Sequence, residues 1–330
     1  MISSPADLHF DWDAPEIARL VRGALDEDMG SGDATAAALI PPGTNARARV
    51  TAKQGLVIAG LPLAERVFRA LDPAAQFRAE CAEGSWIVAG TIVAAISGRA
   101  SAILGAERTA INFLAHLSGV ATITRRYVDA ISGTGCRLRD TRKTTPLFRP
   151  LEKYAVRAGG GTNHRFGLYD AILIKENHIA AAGGVAEALS RAQSWAARES
   201  LRVATTEEHA DRALTAYESY LPPQPDVNAS NRGAIPIQIE VRNEAELREA
   251  LEAGADSILL DNLSPAECAR LVPLVRSMRP SCTVEASGGI NLATARAYAE
   301  SGVDFLSAGA ITHSAPAANL SLLVELPKPE

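Results

Sequence analysis

The sequence predicts an α/β protein made of two unlike regions, and three observations predict it. From Cys136 onward, short β-rich runs alternate with helical stretches, the pattern of repeated βα units. Several of those runs, such as Ala171-Ile172-Leu173-Ile174 and Ser257-Ile258-Leu259-Leu260, are apolar on both faces, as strands of a covered parallel sheet must be. Polar residues collect just after the strands, where an α/β barrel keeps its chemistry. An open Rossmann-type sheet would gather ligand groups mainly at one switch crevice. The barrel is the better match, and six strands instead of eight make it incomplete or open.

The elements follow in order. Residues 16–26 read as a helix and 63–71 as another. Residues 47–59 and 76–103 hold alternating and β-branched runs broken by Gly55, Gly60, Gly84, Gly90 and Gly98, which predicts antiparallel hairpins and an α+β N-terminal region. A helix is expected over 105–116, with Ile111, Leu114, Ala115 and Leu117 on one face. Strands are then expected at 137–140, 171–175, 236–241, 257–260, 283–286 and 305–308. Helices are expected between them at 146–158, 185–197, 244–253, 265–278 and 292–300. Ser264-Pro265 supplies an N-cap before proline at the first helical position, and Asn291 is expected to cap the helix after it. Ala253-Gly254 and Ser301-Gly302 are glycine stops. The stretch 194–235 breaks the rhythm: a helical piece at 207–220 precedes a Pro-, Asn- and Ser-rich run that reads as a surface loop.

Composition excludes several classes. At 330 residues and 47% apolar, the chain has enough material for a sizeable core and two domains. A net charge of -5 argues against nucleic acid or an anionic membrane as the main partner. No apolar run reaches the roughly 18 residues that span a bilayer. No signal peptide is evident, so a cytoplasmic location is expected. Cys81, Cys136, Cys268 and Cys282 show no CxxC spacing, so reduced thiols are expected in place of disulfides or a zinc site.

Against that acidic background, five side chains stand out: Arg142, Lys143, His164, Arg165 and Lys175, beside the glycine run Gly159-Gly160-Gly161. Such a set suits a small polyanion, with arginine gripping carboxylate or phosphate in two places and lysine acting as a point charge. The plainer reading of Arg142 and Lys143 is a solvated loop. For the glycine run, the expectation is backbone passing close to a ligand or a neighbouring strand.

Several segments together resemble the quinolinate phosphoribosyltransferase family, the carboxylating nicotinate-nucleotide pyrophosphorylases. They are 27–35, 107–114 with 118–122, Asp140-Thr141-Arg142-Lys143-Thr144, Gly159 to Arg165, Lys175-Glu176-Asn177-His178, Ile239-Glu240-Val241, Leu260-Asp261-Asn262, Glu285-Ala286-Ser287-Gly288-Gly289-Ile290 and Thr312-His313-Ser314-Ala315-Pro316. They run in family order over nearly the whole chain. Two departures stand out: 194–235 is longer than the family pattern requires, and Asn319 replaces a usual aspartate.

The resemblance implies an N-terminal α/β sandwich domain at 1–117, joined by the tail 312–330. It implies an incomplete α/β barrel at 118–311, with the inserted segment at about 194–235. It implies transfer of phosphoribosyl from phosphoribosyl pyrophosphate to quinolinate with decarboxylation, in a homodimer or higher oligomer where Arg108 reaches the neighbouring subunit's site. Arg108, Arg142, Lys143, His164, Arg165 and Lys175 would bind substrate. Glu240 and Asp261 would bind substrate and Mg²⁺, which takes one or two carboxylates beside a pyrophosphate. Lys143, Glu240 and Asp261 would be catalytic, the acids also stabilising positive charge on the ribose. Ser287, Gly288, Gly289, Ala308 and Gly309 would take the 5′-phosphate through backbone N–H groups. Plainer readings stand beside these: Arg108 pairing with Glu107 or another acid, Glu240 pairing with a site cation, and the glycines forming ordinary turns. His164 either moves a proton or is a fixed hydrogen-bonding residue. The rivals are a paralogue with another substrate, an inactive anion-binding or interaction protein, and a barrel isomerase or aldolase with Lys175 as a Schiff base.

Overall fold

The computed structural model describes residues 8–205 and 235–325. Its strands, in chain order, are β1 (Asn45–Ala52), β2 (Leu56–Val57), β3 (Gln76–Ala79), β4 (Trp86–Ile87), β5 (Ile92–Arg99), β6 (Arg137–Arg139), β7 (Ile172–Ile174), β8 (Ile237–Val241), β9 (Ser257–Asp261), β10 (Thr283–Ser287), β11 (Phe305–Ser307) and β12 (Leu320–Glu325). Its helices are α1 (Pro15–Met29), α2 (Ala34–Leu39), α3 (Leu61–Leu71), α4 (Ala100–Ala130), α5 (Arg149–Ala158), α6 (Glu176–Ala182), α7 (Val185–Thr205), α8 (Glu244–Glu252), α9 (Pro265–Met278), α10 (Ala295–Glu300) and α11 (Ala310–His313). The expected helix at 207–220 and the loop after it lie outside the described residues. The described chain forms two compact units, one of residues 8–125, 150–160 and 315–325, the other of 126–149, 161–205 and 235–314. The 117/118 boundary expected from sequence falls inside α4.

The first unit is built on an antiparallel sheet in the order β12-β1-β5-β3. β1 alternates as a half-buried strand should: Ala46, Ala48, Val50 and Ala52 point inward. The amphipathic α3 buries Leu63, Ala64, Val67 and Phe68. Helix α4 is far longer than the expected 105–116, because tertiary contacts override the weak helix formers at 118 and 119. The Ser118 and Thr122 hydroxyls accept from the amides of Ala59 and Val57, at 3.1 and 2.9 Å. At Gly119 any Cβ would come within 2.2 Å of the Pro316 carbonyl oxygen, so only glycine fits. Gly159 plays the same part, since a Cβ there would meet Ala121 O at 2.4 Å and Thr124 Cβ at 2.6 Å. At this end the glycine run packs against α4.

The second unit carries a six-stranded, wholly parallel sheet in the order β6-β11-β10-β9-β8-β7. One face of its central strands is apolar and buried, through Ile239, Val241, Ile258, Leu260, Val284, Ala286 and Leu306; the other face, expected to be apolar too, buries Gln238, Glu240, Glu285 and Ser307 beside Leu259. A short bridge at Thr162 continues the sheet beyond β6, through Thr162 N–H to Leu138 O at 2.8 Å and Asp140 N–H to Thr162 O at 3.1 Å. The mixed α/β fold with an open barrel is therefore present. The Ser264 hydroxyl and Glu267 carboxylate form a reciprocal capping box at the start of α9, with Pro265 in the first turn. Helix α10 starts at Ala295, later than expected. Asn291 instead folds into a turn, its Oδ1 accepting from the amides of Ala293 and Thr294. Among the described residues no helix is long and apolar enough to cross a membrane, and all four cysteines are free thiols.

Candidate active site

The sequence-predicted polar residues of the second unit sit at the C-terminal ends of its parallel strands. Chain direction puts them there, because each strand in a βα unit ends at the same face. After β6, the buried Asp140 carboxylate accepts from Asn163 Nδ2 at 2.6 Å and from His164 N–H at 2.8 Å. That ties the 162–165 segment to the end of β6 and brings Arg165 close to Arg142. Burial pushes the Arg165 pKa down, the Arg142 charge pushes it further, and Asp170 opposes both. Arg142 Nε is buried without a hydrogen-bond partner. Lys143 is exposed; Thr312 Oγ1 donates to its carbonyl at 2.8 Å. Its stem crosses Gly309, where an added Cβ would lie 2.9 Å from Lys143 Cδ.

Arg142, Lys143 and Arg165 form no ion pair among the described residues. Lys175 does: its Nζ lies 3.1 Å from Glu240 Oε2, so the plainer reading of Glu240 holds in this state. Asp261 is free of cations, and Asn262 Nδ2 donates to its Oδ2 at 2.6 Å. Asn262 itself has φ +56°, stacked against Gly288 at φ +97°, where a Cβ would collide with the Asn262 amide. Gly289 is also left-handed, at φ +61°. The amides of Gly288, Gly289 and Gly309 have no acceptor among the described residues. Ser287 ends β10, and Ala308 is buried just after β11.

Three supporting residues escaped the sequence reading, and one more entered it only inside a motif. Glu285, in mid-β10, is 1% exposed and accepts from Arg139 Nη1 at 2.8 Å, Gln238 Nε2 at 3.1 Å and the Ser307 hydroxyl. Burial alone would push its pKa up; any charge on the facing His164, the Arg139 guanidinium and the Ser307 and Gln238 hydrogen bonds all push it down and hold it below the ordinary glutamate value. The signal was a charged residue inside an otherwise apolar central strand, matched by Arg139 and Gln238 on other strands. Pairing between strands far apart in the chain is what sequence spacing cannot give.

No group of three or more His, Cys, Asp or Glu side chains able to hold a metal occurs among the described residues. Glu240, next to last in β8, and Asp261, last in β9, are the acids the sequence assigned to a metal. Two carboxylates suit an ion that takes most of its oxygens from water and phosphate. In the first unit, Arg108 lies exposed on α4 with no ion pair to Glu107 or any other described acid.

Comparison with known proteins bears on this arrangement. The family model for the quinolinate phosphoribosyl transferase N-terminal domain matches residues 33–118, and that for its C-terminal domain matches 120–220 and 225–323. This chain belongs to the quinolinate phosphoribosyl transferase family. A probable carboxylating nicotinate-nucleotide pyrophosphorylase from Synechocystis sp. is 39% identical over 302 residues, covering 91% of this chain and 90% of that one. The Bacillus subtilis counterpart is 35% identical over 311 residues, 94% of each chain. The solved structure of NadC from Streptococcus pyogenes superposes with a TM-score of 0.79 at 33% identity, covering 95% of this chain and 98% of that one. In this family member Asn319, in the departure noted above, presents only its backbone: its carbonyl accepts from Lys53 N–H at 2.9 Å.

Proposed function

We propose that this chain joins quinolinate to phosphoribosyl pyrophosphate, releasing nicotinate mononucleotide, pyrophosphate and carbon dioxide. The observation that carries the reading is the group of cations without ion pairs, Arg142, Lys143 and Arg165, gathered at one barrel face of a chain whose net charge is -5. A quinolinate dicarboxylate beside a phosphate and a pyrophosphate is the anionic load such a group would neutralise. Lys143 is the most exposed of the three and rides over Gly309 at the phosphate loops, so it is assigned to both substrates. The open amides of Gly288, Gly289 and Gly309, with Ser287 and Ala308, take the ribose 5′-phosphate.

The chemistry follows from charge. As the bond to pyrophosphate loosens, the ribose becomes cationic, and Asp261 and Glu240 stabilise it electrostatically. The pyridine nitrogen attacks that carbon and becomes cationic itself. Loss of the neighbouring carboxylate as carbon dioxide leaves a carbanion held by the adjacent positive nitrogen, and a proton replaces it. Lys175 releases Glu240 from its ion pair when a substrate carboxylate competes for the ammonium. Mg²⁺, held by Asp261 and Glu240, would neutralise the departing pyrophosphate. A homodimer in which Arg108 completes the neighbouring site is part of the same reading; the exposed, unpaired Arg108 supports it.

The test is a coupled assay with quinolinate, phosphoribosyl pyrophosphate and Mg²⁺, following nicotinate mononucleotide and carbon dioxide. Stoichiometric products are expected. A folded protein that yields neither product would return belief to a paralogue or an anion-binding protein.

A further inference from the structure

Glu285 fixes more than its own charge. Its carboxylate can only accept hydrogen bonds, so Gln238 must turn its NH₂ toward it, as the 3.1 Å contact requires. The Gln238 Oε1 then faces His164 Nε2, 3.0 Å away. A carbonyl oxygen needs a donor there, so Nε2 carries the ring proton. On the other side of the ring, the Arg165 backbone N–H points at His164 Nδ1 from 2.7 Å. An N–H needs an acceptor, so Nδ1 carries none. Glu285 Oε1 lies 3.6 Å from Nε2, close enough to favour a charged ring. A charged ring, however, would set an Nδ1–H against the Arg165 N–H, and Arg139 already supplies Glu285 with a cation at 2.8 Å.

We propose that Gln238, anchored by Glu285, is a positioning residue that holds His164 as the neutral Nε2–H tautomer. Its Nδ1 then fixes the backbone of Arg165, and His164 gives the substrate neither a proton nor a ring-nitrogen contact. The role rests on the reading of Arg165 as a substrate-binding cation. Four strands converge on this chain of bonds: Arg139 from β6, Gln238 from β8, Glu285 from β10 and Ser307 from β11. A sub-ångström shift at any of them would pass through the ring to Arg165, whose Nη1 is also held by Ala171 O at 3.0 Å. Holding the cation in place in advance is how such a network serves binding.

Two measurements test this. The first is nitrogen NMR of the intact protein, labelled at histidine and free of substrate, with the His164 signals assigned by their loss in His164→Asn. A pyrrole-type Nε2 and a pyridine-type Nδ1 at neutral pH are expected, and Gln238→Glu should drive the ring toward imidazolium. An Nδ1–H tautomer or an imidazolium in the wild type overturns the proposal. The second is kinetic. Gln238→Leu should raise KM for quinolinate roughly tenfold, with little change for phosphoribosyl pyrophosphate. His164→Asn, whose amide can still accept from the Arg165 N–H, should retain far more activity than His164→Leu. Equal loss in two folded histidine variants would mean the ring is needed for itself, and the proposal fails. The NMR arm needs no substrate, so it stands or falls separately from the quinolinate reading.

Discussion

Two glutamates withdrawn from solvent, one in each unit, behave oppositely. Glu83, in the first unit, accepts from three neutral donors: the Tyr154 hydroxyl and the amides of Gly60 and Leu61 at 2.9 and 2.6 Å, at the start of α3. Burial pushes its pKa up, and those hydrogen bonds recover only part of the shift. Tyr154 is pushed up with it, by its own burial first and then by the Glu83 charge. Glu285, in the second unit, is buried more deeply, at 1% exposed, yet held below the ordinary value, with the Arg139 guanidinium facing it and Ser307 and Gln238 donating to it. Burial sets the cost of a charge, and the partner decides its sign. In the first unit, Glu83 closes the backbone at the start of α3. The second leaves a surplus of cations without ion pairs at its strand ends, Arg142, Lys143 and Arg165, and they form its candidate site.

The sharpest test of this contrast lies in the surplus. Lys143→Ala is expected to lower kcat/KM for quinolinate about a thousandfold, the scale of losing a preorganised charge. Its melting temperature should hold, because the ammonium is exposed and unpaired. A large drop in stability would mean that the lysine belongs to the fold.

Next in size is Glu285→Gln. It leaves the Arg139 side chain, 16% exposed, without its carboxylate and should cost about 3–5 kcal/mol in denaturant unfolding. Glu83→Gln keeps an acceptor among neutral donors and should cost about 1–3 kcal/mol. Equal losses would break the contrast.

Gly288→Ala comes third. Its φ of +97° and the Asn262 amide beneath it leave no room for a methyl group. Phosphoribosyl pyrophosphate should bind roughly tenfold more weakly by calorimetry, with quinolinate affinity little changed.

The smallest effect is a difference in slope with pH. Glu285 has a depressed folded pKa, so its stabilisation is full above the ordinary value of 4.5 and is lost as pH falls through the lower folded value. Glu83 has a raised folded pKa, so its contribution is full below 4.5 and is lost as pH rises through the higher folded value. Comparing each wild-type-to-glutamine difference from about pH 3 to about pH 7 should therefore give slopes of opposite sign. Slopes of the same sign would contradict the assignment.

Much of the second unit was legible. All six parallel strands fall where apolar runs placed them, and α9 begins at its capping serine, because both signals are local in the chain. The ends that failed are instructive. Helix α4 passes Ser118 and Gly119 because Ala59 and Pro316, distant in sequence, use those positions. Helix α10 starts late because Asn291 satisfies a turn instead of a helix.

The same division holds for the site. Residue type and order alone specified the cation set, the acids after the strands and the glycine loops, since each is a matter of which residue follows which strand. Only the tertiary structure decided that Lys175 occupies Glu240, that Asp261 leans on Asn262, and that Glu285, Gln238 and Arg139 form one buried network beneath His164. Those are pairings between strands, and a parallel sheet brings together residues tens of positions apart at distances that no spacing along the chain encodes.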